Sequence, residues 1–345
     1  MKDEIKIIIF GVGPLGVAIA KGMLEKKGMR IIGAIDTARE LVGRDLGDIL
    51  KLGKTVGVTV TDDAQGLLSN VKPDIAVIAT RSSVTGIYPE LTLCVKSGIS
   101  VVSTCEELSY PHYRQPQLSK EIDESAKKHG VAVLGTGINP GYLMDALPIM
   151  LTGACLRVDS IKVTRMMDSS KRRIPFQKKI GTGLKSEEFE KMIREKIITG
   201  HVGLFESVAM IAAALGWKLD EITEFPPEPV IAQKEIVTPY TTVRPGHVAG
   251  LKSVAHGMKA GKPIIILEFN ANATVKEEYD AISIEGLPNI NEKIIGGVHG
   301  DVGTVAVVIN MIPKVLNAAP GLYTMKDLPG PSVLSEDARV YLRSN

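Results

Sequence analysis

The chain has 345 residues, 44 % of them hydrophobic and 23 % charged, a globular composition that excludes a mainly disordered protein. Its 41 Lys and Arg against 39 Asp and Glu leave a net charge of +2, too even for a nucleic-acid binder or a membrane anchor relying on a broad basic field. Aromatics at 4 % supply few platforms for stacking on bases, and no apolar run reaches the roughly 18–20 residues that span a bilayer. The three cysteines, Cys94, Cys105 and Cys155, are widely spaced and match neither a disulfide framework nor a zinc pattern. We expect no structural zinc site and a reducing cytoplasm. The first thirty residues read as a strand and a helix rather than a signal peptide.

Ile5 to Phe10 is a continuous apolar run ending at a glycine turn, the pattern of a strand buried on both faces. A helix follows from Pro14 to about Lys27, with Pro14 in a first turn where its missing N–H costs nothing. Arg30 to Ile35 is a second strand, ending in Asp36. Val58 to Val60 is a short strand, and Thr61-Asp62-Asp63 offers caps for the next helix. Asp74 to Ala79, Ile99 to Ser103 and Val131 to Leu134 are further strands, separated by helices over Pro89 to Ser97 and Gln117 to His129. This alternation predicts an α/β domain over residues 1–140, a doubly wound parallel sheet with right-handed crossovers.

Beyond it the rhythm changes, and residues 141–300 read as a second, α+β domain. Arg157 to Met167 alternates like an antiparallel strand with one wet face. Lys171 to Gly183 reads as a basic loop. Ser186 is expected to cap a helix running to Ile198, and Val202 to Leu215 is a mostly buried helix containing Glu206. Phe225 to Val230 is extended, and Ile264 to Thr274 and Asp280 to Glu285 are strands. Asp301 is placed as the cap of a last helix reaching Leu316. Residues 301–345, irregular from Leu328, are expected to pack back on the N-terminal domain.

Gly11-Val12-Gly13-Pro14-Leu15-Gly16 follows a strand and opens a helix. Gly11 permits the tight turn, Gly13 lets the backbone approach a pyrophosphate, and Gly16 allows close helix–strand contact. Asp36 falls 20 positions after Gly16 at the end of the second strand, where it would accept hydrogen bonds from the adenosine ribose. It would repel a 2′-phosphate, which favours NAD. Arg39 and Arg44 lie just beyond it and leave NADP open. A nicotinamide would lie over the carboxyl ends of the strands. That draws in the loops at Thr80-Arg81, Thr104 to Glu107 and Gly135 to Tyr142, the last carrying Asn139 and Pro140, with Asn139 suited to a carboxamide.

Glu106 and Glu107 leave a buried apolar strand together. An exposed pair would be an ordinary solvated turn. Beside an apolar ring, burial would raise a glutamate's pKa and make it a proton acceptor. A dehydrogenase that oxidises an amine needs such a group, because the ammonium must lose a proton before its carbon can release a hydride.

The glycine turn, Thr104-Cys105-Glu106-Glu107-Leu108-Ser109-Tyr110-Pro111, Gly137-Ile138-Asn139-Pro140-Gly141 and His299-Gly300-Asp301 together resemble the 2,4-diaminopentanoate dehydrogenases. These are ornithine-fermentation enzymes in a dihydrodipicolinate-reductase-like group that also includes native amine dehydrogenases. The resemblance spans nearly the whole chain. It implies a Rossmann-type nucleotide domain, NAD- or NADP-linked deamination of the C4 amine to 2-amino-4-oxopentanoate and ammonia, a homodimer and no metal. The His-His-x-x-Lys and Lys-x-Asp-x-Pro-Ser-Gly-Thr segments of true dihydrodipicolinate reductases are missing. Homoserine dehydrogenases carry an Asn-Lys pair where this chain has Cys105-Glu106, which makes Glu106 the better catalytic candidate and Glu107 the reserve.

A substrate carboxylate would need a cation. Arg165 and Arg173 lie early in the second domain, although a solvated basic loop is the plainer reading of each residue in Lys171-Arg172-Arg173. His201 and His256 are further pocket candidates. Cys105 has no nearby base and is not read as a nucleophile. Two alternatives stand beside this reading: a broader amine dehydrogenase acting on simple ketones, and a non-catalytic NAD(P)-binding sensor.

Overall fold

The computed structural model describes residues 3–343. They divide into two compact units. One contains the chain up to Tyr142 together with the segment from His299 onward; the other is Leu143–Val298.

The first unit begins with β1 (Ile5–Phe10), α1 (Pro14–Leu24) and β2 (Met29–Ile35). Then come α2 (Leu46–Ile49), β3 (Val60–Thr61), α3 (Ala64–Asn70), β4 (Ile75–Ile78), α4 (Val84–Lys96), β5 (Ser100–Ser103), α5 (Pro116–His129) and β6 (Ala132–Gly135). Ile7, Ile8 and Ile9 are all fully buried, as befits a strand covered on both faces. Asp63 caps α3 by accepting from the Gly66 N–H at 2.8 Å. Helix α4 starts five residues before the expected Pro89, because Ser83 caps it and Pro89 is carried inside it.

The second unit contains α6 (Ala146–Thr152), β7 (Arg157–Asp168), α7 (Ile174–Lys179), α8 (Ser186–Arg194) and α9 (Leu204–Ala214). It continues with β8 (Glu221–Glu224), β9 (Glu228–Ile231), β10 (Ile236–Val237), β11 (Thr242–Val243), β12 (Val248–Lys259), β13 (Lys262–Asn272), β14 (Tyr279–Leu287) and β15 (Ile290–Ile295). The chain then returns to the first unit with α10 (Gly300–Leu316) and β16 (Gly321–Tyr323).

The first sheet runs β16-β6-β5-β4-β1-β2-β3, parallel throughout. Helices α4 and α5 pack Ile87, Leu91, Val95, Ile122 and Ala126 against one face, each fully buried aliphatic side chain contributing on the order of 1.5–3 kcal/mol. Helix α10 crosses α1 closely; a Cβ at Gly22 would stand 2.8 Å from Ile309 Cδ1, so only glycine fits without repacking.

The second sheet is mixed, ordered β15-β14-β7-β13-β12-β8, with β9 also pairing β12. β7 pairs parallel to β13 and antiparallel to β14. It is therefore a central strand rather than the simple antiparallel one expected. Its buried side lies under α6, while α9 covers β12 and β13. The opposite face is open, with Val254, Met258 and Ile266 half-buried along it.

Three local expectations are corrected. The segment Lys171 to Gly183 is not a loop but carries α7, because Gln177 is buried and anchors the turn through the Ser170 and Arg172 carbonyls. Lys185 rather than Ser186 occupies the cap of α8, its N–H bonding the Glu188 carboxylate at 3.1 Å, and the helix stops at Arg194. His299 rather than Asp301 caps α10, its Nδ1 accepting from the Val302 N–H at 3.4 Å, while Asp301 sits in the first turn.

Candidate active site

The glycine turn shows why each of its residues is what it is. Gly11 has φ +88°, and a Cβ there would stand 2.6 Å from the Ala79 carbonyl oxygen at the end of β4. A Cβ at Gly16 would fall 1.9 Å from the Gly11 carbonyl oxygen, so helix α1 can seat on the turn only with glycine at this position. Gly13 differs: no protein atom lies within 4 Å of where its Cβ would be, at the N-terminus of α1. Pro14 and Leu15 start the helix, leaving its first N–H groups pointing outward. This open cradle fits a dinucleotide pyrophosphate.

Asp36 stands beside it. One carboxylate oxygen accepts from the Val12 N–H at 2.6 Å and the other from the Ala38 N–H at 2.9 Å. The carboxylate thus fixes the glycine turn to the end of β2 and keeps lone pairs for ribose hydroxyls. Arg39 and Arg44 are exposed. A groove of about 240 Å³ runs between Gly11, Gly13, Asp36, Thr80, Arg81 and Glu90. Glu90 had no sequence signal, being one polar residue on a helix. It accepts from Thr80 Oγ1 at 2.7 Å and lies 3.5 Å from the Arg81 guanidinium. Burial pushes its carboxyl upward, opposed by the Thr80 hydrogen bond and the Arg81 charge.

The loops after β4, β5 and β6 are tied into one constellation. The Thr104 N–H donates to the Ile78 carbonyl at 3.0 Å, and the Thr136 N–H to the Ser103 carbonyl at 2.8 Å. A Cβ at Gly135 would stand 2.3 Å from the Leu108 backbone, so glycine lets the glutamate turn lie directly on the end of β6. The Asn139–Pro140 bond is cis, and Thr304 of α10 accepts from the Ile138 N–H at 3.3 Å.

Within this constellation the two glutamates part company. Glu107 Oε2 accepts from the Val84 N–H at 2.9 Å, which commits it to the first turn of α4. The Glu106 carboxylate is half-buried and, among the described residues, has no hydrogen-bond or ion-pair partner. Its backbone carbonyl is held by the Ser109 hydroxyl at 2.7 Å, which fixes the residue while leaving the side chain available. Cys105 is buried, and burial pushes its thiol up to about 12, so it is no nucleophile at neutral pH.

In the second unit, register builds a polar row across four strands: Ser253 on β12 pairs with Phe269 on β13, Phe269 with Arg165 on β7, and Arg165 with Asp280 on β14. Arg165 is 2 % exposed. Its Nε lies 3.5 Å from Asp280 Oδ1 and its Nη2 bonds the Val298 carbonyl, while Nη1 has no partner among the described residues. Burial lowers the Arg165 pKa and raises that of Asp280, each opposed by the other's charge. The His201 ring stacks on Phe269 with centroids 4.3 Å apart, and its buried Nε2 is likewise unpartnered among the described residues. Burial, with Arg165 and Lys179 nearby, lowers its pKa to about 3, so the ring is neutral.

Not every expected residue joins this row. His256 points to the opposite face of the sheet, edge-on to Phe225 at 4.9 Å, because its position on β12 is three from Ser253 in a strand of period two. Arg173 is exposed at the start of α7, and Arg172 is the inward residue, its Nη2 3.0 Å from Glu278. Among the described residues no cluster of side chains is suited to hold a metal ion, and no helix is long and apolar enough to cross a membrane.

Comparison with known proteins agrees with this architecture. Residues 142–344 match the family model of the 2,4-diaminopentanoate dehydrogenase C-terminal domain, and residues 5–135 that of the dihydrodipicolinate reductase N-terminus. A 2,4-diaminopentanoate dehydrogenase of Acetoanaerobium sticklandii is 35 % identical over 98 % of this chain and 97 % of its own. An amine dehydrogenase of Streptomyces virginiae is 24 % identical over 94 % of this chain and 96 % of its own. The structure of an amine dehydrogenase from Mycobacterium smegmatis superposes with a TM-score of 0.82 at 29 % identity, covering 96 % of this chain and 98 % of that one. The chain therefore belongs to the 2,4-diaminopentanoate dehydrogenase family, NAD(P)-dependent amine-oxidising enzymes with a Rossmann-type nucleotide domain.

Proposed function

We propose that the protein catalyses the reversible oxidative deamination of 2,4-diaminopentanoate at C4, giving 2-amino-4-oxopentanoate and ammonia, with Glu106 as the proton acceptor. The observation that carries the reading is the division of labour between adjacent carboxylates: Glu107 is engaged by the Val84 N–H, and Glu106 is positioned but unpartnered among the described residues.

Gly11, Gly13, Pro14, Leu15 and Gly16 would hold the coenzyme phosphates, Asp36 the adenosine ribose, and Asn139 and Thr104 the ring end, with Pro140 shaping that loop. NAD or NADP, when bound, supplies a hydride acceptor. Glu106 receives a proton from the substrate ammonium, because only the neutral amine can release hydride from its carbon. Loss of that hydride leaves an iminium ion. Glu106 passes that proton to solvent, takes a second one from the water that adds to the iminium carbon, and returns it to the nitrogen, so that the carbinolamine expels ammonia as the carbonyl forms. In sum, the ammonium and water give the ketone, an ammonium ion, a hydride equivalent and one proton.

The α-carboxylate needs a desolvated cation, and Arg165 Nη1 is a buried donor without a partner among the described residues, with the His201 ring stacked on the neighbouring Phe269. We further propose a homodimer formed on the open, partly apolar face of the mixed sheet, and residence in the cytoplasm, where three free cysteines persist. Light scattering coupled to gel filtration tests the first.

The deciding assay is NAD+ and NADP+ reduction with 2,4-diaminopentanoate beside ornithine, lysine and a simple secondary-alkyl primary amine. We expect the 2,4-diamine to be oxidised fastest, with ammonia released in equal amount. Equal rates with the simple amine would favour a broader amine dehydrogenase.

A further inference from the structure

We infer that Glu90 is a coenzyme-selecting residue: by pairing with Arg81, the cation among the groove's described lining residues, it sets a preference for NAD over NADP. The inference rests on nucleotide binding to the first unit and not on the identity of the amine.

The groove beside the glycine turn is bordered by two carboxylates, Asp36 and Glu90, and by one cation among its described lining residues, Arg81. A 2′-phosphate carries nearly two negative charges and needs a cation with free N–H groups. Arg81 is pinned elsewhere. Its Nη1 donates to the Gly86 carbonyl at 2.8 Å and lies 3.5 Å from Glu90 Oε1. Its aliphatic stem lies across Gly86, where a Cβ would come within 2.9 Å of Arg81 Cδ. Glu90 is itself fixed from the other side by the Thr80 hydroxyl at 2.7 Å. Thr80, Glu90, Arg81 and Gly86 thus form a short chain of contacts at the start of α4 that folds the guanidinium back along the helix. The groove presents the Asp36 carboxylate, held by backbone N–H groups, where the ribose would lie. Ribose hydroxyls can donate to that charge, whereas a phosphate is repelled by it.

Loss of the Glu90 charge removes one repulsive group and releases Arg81 from its ion pair, leaving only the Gly86 carbonyl bond to hold the guanidinium. Both changes favour a 2′-phosphate, and neither is needed for an unphosphorylated ribose.

The test is direct binding of NADH and NADPH to the full chain without substrate, followed by the fluorescence of the reduced coenzyme itself or by calorimetry, with melting temperatures as a folding check. The wild-type protein should bind NADH more tightly. Glu90→Gln should raise the NADPH-to-NADH affinity ratio roughly tenfold, the scale of one charge-assisted contact. Adding Arg81→Ala to Glu90→Gln should abolish most of that gain. Arg81 is exposed, so Arg81→Ala alone remains informative should Glu90→Gln fail to fold; it should move the ratio by less than about twofold, because the cation is already engaged. Tighter NADPH binding by the wild type, an unmoved ratio in Glu90→Gln, a gain that survives Arg81→Ala, or a large selective loss of NADPH binding in Arg81→Ala alone would each overturn the inference.

Discussion

The two units keep their polar groups in opposite settings. In the nucleotide unit Asp36, Glu106 and Glu107 stand at strand ends, and those that are engaged are held by backbone N–H groups. In the second unit Arg165 and Asp280 lie inside strands, nearly dry, each the other's main compensation. Strand-end groups can be changed with little cost to the fold, since water can replace what is lost. A buried pair cannot, so a change to either partner strikes the fold of the second unit, and under the proposed role of Arg165 it strikes recognition as well.

The largest expected effect breaks that pair. Asp280→Asn leaves Arg165 buried without a counter-charge and should cost about 3–5 kcal/mol in chemical denaturation. The double change Arg165→Met with Asp280→Leu should recover most of the stability but not the use of a carboxylate-bearing substrate. If Asp280→Asn unfolds at the wild-type denaturant midpoint, the two units do not differ in the way described.

The glycine turn supplies two contrasting changes. Gly16→Ala forces a Cβ to within 1.9 Å of the Gly11 carbonyl, so it should lower the melting temperature and weaken NADH binding at least tenfold. Gly13→Ala meets no protein atom within 4 Å and should weaken NADH binding while leaving melting nearly unchanged. Equal losses of stability in the two would contradict the open cradle.

Acid stability separates the units again. The His201 pKa is about 3 in the native state against an ordinary 6.5, chiefly through burial. The unfolded chain therefore binds a proton that the folded chain refuses. The ring's contribution to stability is intact above pH 6.5 and declines as pH falls from there toward 3. Asp280, whose carboxyl burial raises, acts with the opposite sign, so His201→Gln is the control: its stability should fall less between pH 7 and pH 5 than that of the wild type. Parallel curves would remove His201 from the buried row. The smallest expected effect is Glu107→Gln, which weakens a contact to the first turn of α4 and should cost about 1 kcal/mol.

The same contrast decided what could be read from sequence. Gly11, Gly13, Gly16 and Asp36 were legible because a tight turn, an open approach and a close helix each demand a residue type at fixed spacing. The glutamate pair was legible by place, and Glu106 was preferred over Glu107 only through the resemblance. Nothing local distinguishes Glu106 from Glu107 until the fold brings the Val84 N–H to one of them. Arg165 stood out as a cation in an alternating strand, but Asp280 read only as the start of another strand, since cross-strand register has no local signature. No strand was expected over β12, whose run is broken by Gly250 and Gly257. Gly250, at φ +150°, would put a Cβ 2.1 Å from the Ala271 carbonyl, so the glycine that weakens the strand pattern is what lets the strands approach.

The proton-acceptor assignment is tested most directly by turnover of Glu106→Gln and Glu107→Gln with 2,4-diaminopentanoate, with NADH affinity measured on the same samples. The account predicts that Glu106→Gln binds NADH and loses at least ~10²-fold in kcat, the lower range for losing a general base, while Glu107→Gln keeps most of its turnover. Undiminished turnover in Glu106→Gln, or the large loss falling on Glu107→Gln instead, would contradict it.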